Sequence, residues 1–406
     1  MGVTMRFCIV GAGAIGGFVG AKLALAGEEV TFIARGKNLE AINAEGMKVF
    51  YRDGREEVAT TVRATDDYAA AGTFDVVILA LKAHQVGAVA GRLAPLCHAD
   101  TVVIPMQNGI PFWYFHDHGG SLAGRHVQTV DPEGAVMKAI PKDRIVGCVV
   151  YPATELVAPG KVVHIEGDRF PIGELDGKPS ERATRISEAF VKAGLKCPLL
   201  DNVRAEMWLK LWGNLTFNPI SALTHATLQD ICEDPYGKEL AAQMMKEAQA
   251  VAEFLGITFR VPLEKRIEGA RKVGKHKTSM LQDVEAGRPI EIDALVGSVV
   301  ELGELTGIPV PTIRAVFQAA KLLDTTYTSQ ALSIRGVQVD GSWPAPRLTR
   351  GSGSPACGTG RGRRRRRARR SACRCRPRSR PAPRRAPAPR GRGGGWPWPP
   401  PRRPPR

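Results

Sequence analysis

Residues 5–17 read "MRFCIVGAGAIGG", a short apolar run that meets a cluster of glycines. Gly11, Gly13 and Gly16 stand in the G-x-G-x-x-G spacing. In that spacing the first glycine permits a tight strand-to-helix turn. The second lets a pyrophosphate approach the backbone, and the third lets helix and strand pack closely. The helix that opens there offers free N–H groups and a partial positive charge to phosphates. The spacing alone also fits a merely structural turn. Here a helix-like segment, "GGFVGAKLALAGE", follows it, and a second apolar run, "EVTFIA", comes at the expected distance. A dinucleotide is therefore expected along Gly11, Ala12, Gly13, Ala14, Ile15 and Gly16.

Further strand candidates are "FDVVILAL" (74–81), "TVVIPM" (101–106) and "RIVGCVVYPA" (144–153). Strands alternating with helical stretches indicate parallel βαβ units. From about Asp201 the strand-like runs disappear and helical periodicity continues through "KELAAQMMKEAQAVAEFLGI" to "TIRAVFQAAKLLDTT". The expected fold class is α/β: an N-terminal Rossmann-type domain with a parallel sheet (1–200), then an all-helical domain (201–334). Residues 335–406 form an Arg/Pro/Gly-rich tail that cannot bury enough apolar surface to fold.

The formal net charge of +17 belongs to that tail. Residues 351–406 hold 19 arginines, no lysine and no acid, which leaves −2 for residues 1–350. Two readings of the tail stand open. It is an arm that binds nucleic acid through phosphate contacts, or GC-rich DNA translated out of the true frame; a nucleic-acid partner follows only if it is native. Eight cysteines are scattered without a CxxC pair, so neither a zinc site nor a disulfide framework is indicated. No apolar stretch approaches the roughly 20 residues that span a bilayer, and no charged n-region opens the chain. The default is a reduced, cytoplasmic location.

The end of the second strand separates NAD from NADP. An acid there would accept from the ribose 2′-hydroxyl, whereas "FIARGKN" places Arg35 and Lys37 at that point. Basic residues suit a 2′-phosphate, hence NADP, although both could be ordinary loop charges. Two more strands run into polar residues: Lys82 and Gln85 after one, Gln107, Asn108 and Gly109 after the other. In an open parallel sheet, ligands sit beyond the carboxyl ends of the strands. Lys82 is equally compatible with a surface lysine.

"MWLKLWGNLTFNP" (207–219) mixes buried-type residues with a lysine and two amides. On a 3.6-residue repeat, steps of four drift by only about 40°. Glu206, Lys210, Asn214 and Asn218 then form one polar stripe on a helix over 203–218, which Pro219 ends or kinks. Gly213 in mid-helix costs roughly 1 kcal/mol against alanine, which hints at close approach of a ligand or another helix. A desolvated lysine can shift its pKa towards neutrality and exchange a proton. The alternative is a solvated polar edge.

Together, "GAGAIGG", "LKAHQ", "QNGI", "KLWGNLTFNPISAL" and "SMLQDVEAGRPIEID" resemble ketopantoate reductase (2-dehydropantoate 2-reductase) over roughly residues 5–330. The resemblance implies a Rossmann domain followed by a helical domain, with the active site between them. It implies NADPH-dependent reduction of ketopantoate to pantoate, a step towards pantothenate. Lys210 would be the catalytic general acid; Asn214 and Asn218 would hold the hydroxyl and carboxylate end of the substrate. Ser279 would bind the carboxylate. Glu291 would line the nicotinamide side, with Lys82, Asn108 and Ala153 at cofactor-contacting positions. Read from the residues alone, Ser279 and Glu291 are more simply helix caps or first-turn residues.

The chain departs from the pattern at Leu228, where some members carry a further substrate-side asparagine. It also departs in "IPFWYFHDHGGSLAG" (110–124), which is longer and more aromatic than usual. His116 and His118 there lack a further ligand nearby in sequence, so no metal is expected. The substrate stays open among small 2-oxo acids. A 3-hydroxy acid dehydrogenase on the same plan is a rival, as is a nucleotide-sensing or nucleic-acid-binding protein that uses the tail. The expected partner is a small 2-oxo acid with no membrane role; a homodimer is compatible with the sequence, which does not fix the assembly.

Overall fold

The computed structural model describes residues 4–333; the tail reading falls outside them. The chain opens with β1 (Arg6–Val10), α1 (Ala14–Leu25), β2 (Glu29–Ile33), α2 (Gly36–Glu45), β3 (Met47–Tyr51), β4 (Glu56–Ala59) and β5 (Arg63–Thr65). It continues through β6 (Phe74–Leu79), α3 (Ala83–Ala90), β7 (Cys97–Pro105), α4 (Ala135–Ala139) and β8 (Val146–Cys148). Then come β9 (Ala153–Ala158), β10 (Lys161–Glu166), β11 (Ile172–Glu174) and α5 (Glu181–Lys192). The rest is helical: α6 (Val203–Thr224), α7 (Leu228–Glu233), α8 (Pro235–Phe254), α9 (Leu263–Lys272) and α10 (Ser279–Glu285). A π-helical turn (Asp293–Gly297) leads into α11 (Ser298–Thr306), and α12 (Pro311–Gln330) follows.

β1 sits mid-sheet, in parallel register with β2 (Cys8 opposite Thr31) and β6 (Cys8 opposite Val77). The strand order β5-β2-β1-β6-β7 places the reversal of chain direction between β1 and β6. A crevice forms at such a switch point, beyond the carboxyl ends of the strands. Alternation along β1 divides the interior. Phe7 and Ile9 face a core shared with α1 and α5, whereas Cys8 and Val10 join a core continuous with α6, α8 and α12.

α1 buries eight of its twelve residues because it lies between two sheets. The second sheet, in the order β4-β3-β10-β9, joins two hairpins through the parallel β3–β10 pair. A Cβ at Gly17 would meet Val162 at 2.8 Å, and one at Gly20 would meet the Phe32 ring at 2.6 Å. The strand expected over 144–153 is only the three residues of β8, which pair antiparallel with β11.

α6 runs 22 residues and does not end at Pro219. Asn202 caps its start by accepting from the Ala205 N–H at 2.9 Å. Trp208 and Trp212 are fully buried; their indole nitrogens donate to Tyr114 Oη and to the Met245 carbonyl, each at 2.8 Å. The aromatic 110–124 segment packs against this helix, with Phe112, Trp113, Tyr114 and Phe115 all buried. Arg204 stitches it down by donating to the carbonyls of Tyr114, Leu175 and His116. No helix among the described residues is long and apolar enough to cross a membrane.

Removing a buried tryptophan leaves a cavity and strands the Tyr114 hydroxyl. Trp208→Ala is expected to destabilise the protein by about 3–5 kcal/mol, read as a lower midpoint in equilibrium urea denaturation.

Candidate active site

The glycine loop joins β1 to α1, and its three glycines differ in surroundings. Gly11 has φ +105°, and a Cβ there would sit 2.9 Å from the Ala80 carbonyl oxygen. At Gly16 a Cβ would collide with the Gly11 carbonyl and stand 2.8 Å from Ala80 Cβ. Around Gly13 nothing lies within 4 Å. The loop thus has a left-handed turn, a tight helix–strand contact and open space between them. With no acidic side chain in the first turn of α1, that space has the room and the donors for a pyrophosphate.

Asn38, which sequence reasoning passed over, fastens this loop. It donates to the Ala12 carbonyl at 2.6 Å and accepts from the Gly160 N–H at 2.7 Å. Arg35 and Lys37 precede it, both exposed where β2 gives way to α2. Gln85 has a local role: it accepts from the Lys82 N–H at 3.1 Å at the start of α3.

Across the crevice, Lys210 projects from α6. Its ammonium donates to Asn108 Oδ1 at 2.6 Å and to the Val150 carbonyl. Both acceptors are neutral. Burial pulls the Lys210 pKa down to about 8, with the charge of Glu291 opposing that pull. Glu291 is held by the Ala83 N–H at 3.1 Å and by Asn108 Nδ2 at 3.5 Å. One amide side chain therefore bridges the lysine and the carboxylate. A recess lined by Asn108, Val150, Lys210 and Asn214, among others, adjoins the ammonium.

The supports of Asn108 are specific. Gln107 donates to the Leu79 and Leu81 carbonyls at 2.6 and 3.1 Å. Gly109, at φ +91°, lies so close to the Ala294 carbonyl that no side chain fits. Ile110 N–H donates to that same carbonyl at 3.0 Å, so the loop after β7 is pinned to the π-helical turn.

Lys82 forms an ion pair with Asp283 of α10 at 2.7 Å and donates to the Pro289 carbonyl at 3.1 Å. Asp283 gave no sequence signal. Asn214 shares the recess with Lys210, and Asn218 follows one turn on, largely buried. Neither amide side chain is sealed in without a partner. Ala153 opens β9, three residues past Val150. Ser279 is the exposed first residue of α10, and Thr278 before it is the cap, accepting from the Leu281 N–H at 3.2 Å. Arg35, Ala153 and Ser279 make no hydrogen bond to Lys210.

Glu206, the fourth member of the stripe, points into a different cluster. It accepts from Tyr151 Oη at 2.7 Å and pairs with Arg169 at 2.5 Å and Arg260 at 2.8 Å. Those bonds outweigh its burial and hold its carboxyl below the usual carboxylate range. Gly213 owes its place to a neighbouring helix: a Cβ there would overlap the Arg266 guanidinium of α9, reaching Cζ at 3.1 Å. His116 and His118 belong to the aromatic segment, where burial lowers both pKa values. Among the described residues no group of three or more potential metal ligands occurs.

Known proteins bear on this arrangement. The family model described as "Ketopantoate reductase PanE/ApbA" matches residues 7–177, and "Ketopantoate reductase PanE/ApbA C terminal" matches 202–324. A 2-dehydropantoate 2-reductase of Mesorhizobium japonicum is 51% identical over 320 residues, spanning 79% of this chain and 98% of that one. A solved structure from Ralstonia solanacearum MolK2 is 41% identical with a TM-score of 0.76, covering 80% of this chain and 99% of that one. The PanE/ApbA family ketopantoate reductase of Ralstonia eutropha JMP134 is 27% identical with a TM-score of 0.68, over 80% and 99% of the two chains.

The glycines can be separated by experiment. Gly13→Ala is expected to leave the melting temperature unchanged and weaken dinucleotide binding at least tenfold, by fluorescence titration. Gly16→Ala, with its methyl driven into the Gly11 carbonyl, is expected to lower the melting temperature as well.

Proposed function

This chain belongs to the ketopantoate reductase family, oxidoreductases that act on CH–OH groups, and we propose that it reduces ketopantoate to pantoate with NADPH. The observation that carries this reading is the Lys210 ammonium, held by two neutral acceptors beside the crevice of the sheet. Its pKa near 8 suits a group that gives up a proton near neutrality.

NADPH, when bound, supplies the hydride to the ketone carbon. The residues of the chain do the rest. Lys210 donates a proton to the carbonyl oxygen as negative charge develops there, and Asn108 keeps the ammonium in place. Glu291, fixed by the Ala83 N–H, keeps the lysine more basic than burial alone would leave it. Asn214 and Asn218 present amides to the hydroxyl and carboxylate end of the substrate, with Ser279 contributing from α10. Gly11 to Gly16 hold the pyrophosphate. Arg35, with Lys37 beside it, takes the 2′-phosphate through the exposed loop after β2. Lys82, Asn108, Ala153 and Glu291 line the nicotinamide end. The ion pair of Lys82 with Asp283 adds a structural duty to its contact with the cofactor.

The direct test mixes purified protein with NADPH and a panel of 2-oxo acids and follows the loss of absorbance. Ketopantoate is expected to be the fastest; a faster rate on another acid would move the assignment within the class. Lys210→Ala is expected to lower kcat by at least a thousandfold while NADPH still binds, and normal turnover would remove the central claim.

The pH dependence has a definite sign. Lys210 must be protonated to reduce the ketone, and its pKa lies near 8. Reduction should hold steady below that pH and fall towards tenfold per pH unit above it, while the reverse oxidation rises over the same range. A flat profile between pH 7 and about 9.5 would exclude Lys210 as the acid. For the cofactor, Arg35→Asp is expected to weaken NADPH at least tenfold more than NADH, and equal losses would count against a 2′-phosphate contact.

A further inference from the structure

Lys210, Asn214 and Gly213 share one turn of α6, and the guanidinium of Arg266 lies where a Gly213 side chain would be. Residues three apart on a helix are neighbours, with about 5–6 Å between Cβ positions. The guanidinium is thus about one helical turn from the Lys210 stem.

The other arginines that pack on or against α6 are satisfied and it is not. Arg169 and Arg260 share the buried Glu206. Arg204 donates to three carbonyls. Among the described residues Arg266 has no acid and no side-chain acceptor, and its Nε is sealed from water without a partner. Its terminal nitrogens are not sealed in that way. Burial lowers its pKa from the usual arginine value, opposed by the nearby Tyr151. Arg169, Arg260 and Arg266 gather about Tyr151 with Glu206 as the acid among them, which leaves positive charge in surplus there, and the Tyr151 ring lies 6.0 Å from the Lys210 ammonium. A half-buried guanidinium without a counter-ion is unfavourable unless something else supplies one. Its planar fork matches a carboxylate through two parallel hydrogen bonds.

We propose that Arg266 is a substrate-recognition residue that takes the carboxylate of the 2-oxo acid, holding it beside the lysine that protonates the ketone. The carboxylate carbon of a 2-oxo acid is bonded directly to the ketone carbon. The two recognising groups must therefore stand within a few ångströms of each other, as one helical turn allows. This rests on the reductase reading above and adds to it a residue that determines specificity. It also explains why a glycine occupies the middle of α6: any side chain there would displace the anion-binding group.

The test uses oxamate, which carries the carboxylate and carbonyl of a 2-oxo acid but is not reduced, titrated calorimetrically into NADPH-saturated protein. Arg266→Gln is expected to weaken oxamate at least tenfold and to raise KM for the reduced 2-oxo acid by a similar factor, with kcat changed less than threefold. Arg266→Lys should recover part of the loss. Gly213→Ala, whose methyl pushes aside only the flexible end of Arg266, should raise KM without lowering the melting temperature. If Arg266→Gln binds oxamate as the wild type does, or loses melting temperature with KM unchanged, the proposal is wrong and the reductase reading stands. A wild type that binds oxamate through Arg266 yet reduces no 2-oxo acid would instead remove the reductase reading and leave the anion site.

Discussion

An ammonium held away from water by neutral acceptors is the constraint on which this molecule is organised. A carboxylate in direct contact with Lys210 would keep it fully charged and bind its proton tightly. Full burial without any acid would discharge it. The structure takes an intermediate course: Asn108 and the Val150 carbonyl hold the ammonium, and Glu291 acts on it through space. Asn108 touches both charges, so the lysine, the amide and the carboxylate behave as one electrostatic unit.

Holding that unit requires rigidity on both sides. Trp208 and Trp212 fix the rotation of α6, each with its indole N–H satisfied and its ring in the core. Opposite, Gly109 and Ile110 lock the loop after β7 onto the Ala294 carbonyl. The Lys82–Asp283 pair ties the end of β6 to α10 across 201 positions of sequence. Part-buried as it is, this pair acts more through position than through net stability.

The glycine spacing carried most of the fold into view because each glycine has a distinct steric duty, and Gly11, Gly13 and Gly16 differ in surroundings as that spacing implies. The rule that polar residues at strand ends mark a crevice pointed to Asn108 and Lys82, which the structure gives a contact with Lys210 and an ion pair with Asp283. Four-residue spacing found Lys210 and Asn214 but could not separate them from Glu206. That residue sits only about 40° round the helix, yet it faces Tyr151 and two arginines. The hairpins β3–β4 and β9–β10 escaped notice because strands such as "ATELVA" are mostly exposed and carry no clear apolar alternation. Arg266, Asp283 and Asn38 were silent for another reason. Each acts through a contact with a distant residue, and no local pattern encodes such a contact.

The aromatic segment at 110–124, unusual for the family on the resemblance, packs mostly behind α6. Trp208, which it contacts through Tyr114, lies two residues before Lys210 and so about 200° round the helix from it. Arg204 fastens the same segment by its carbonyls alone. Residues 112–116 thus buttress the rear of α6, while Ile110 at the start of the segment pins the cleft-side loop after β7. Leu228, the other departure, packs part-buried against the core at the start of α7. On the proposed reading, Leu228 gives the anionic substrate no polar contact, and holding it falls to the remaining polar groups on α6 and to the Arg266 guanidinium beside them.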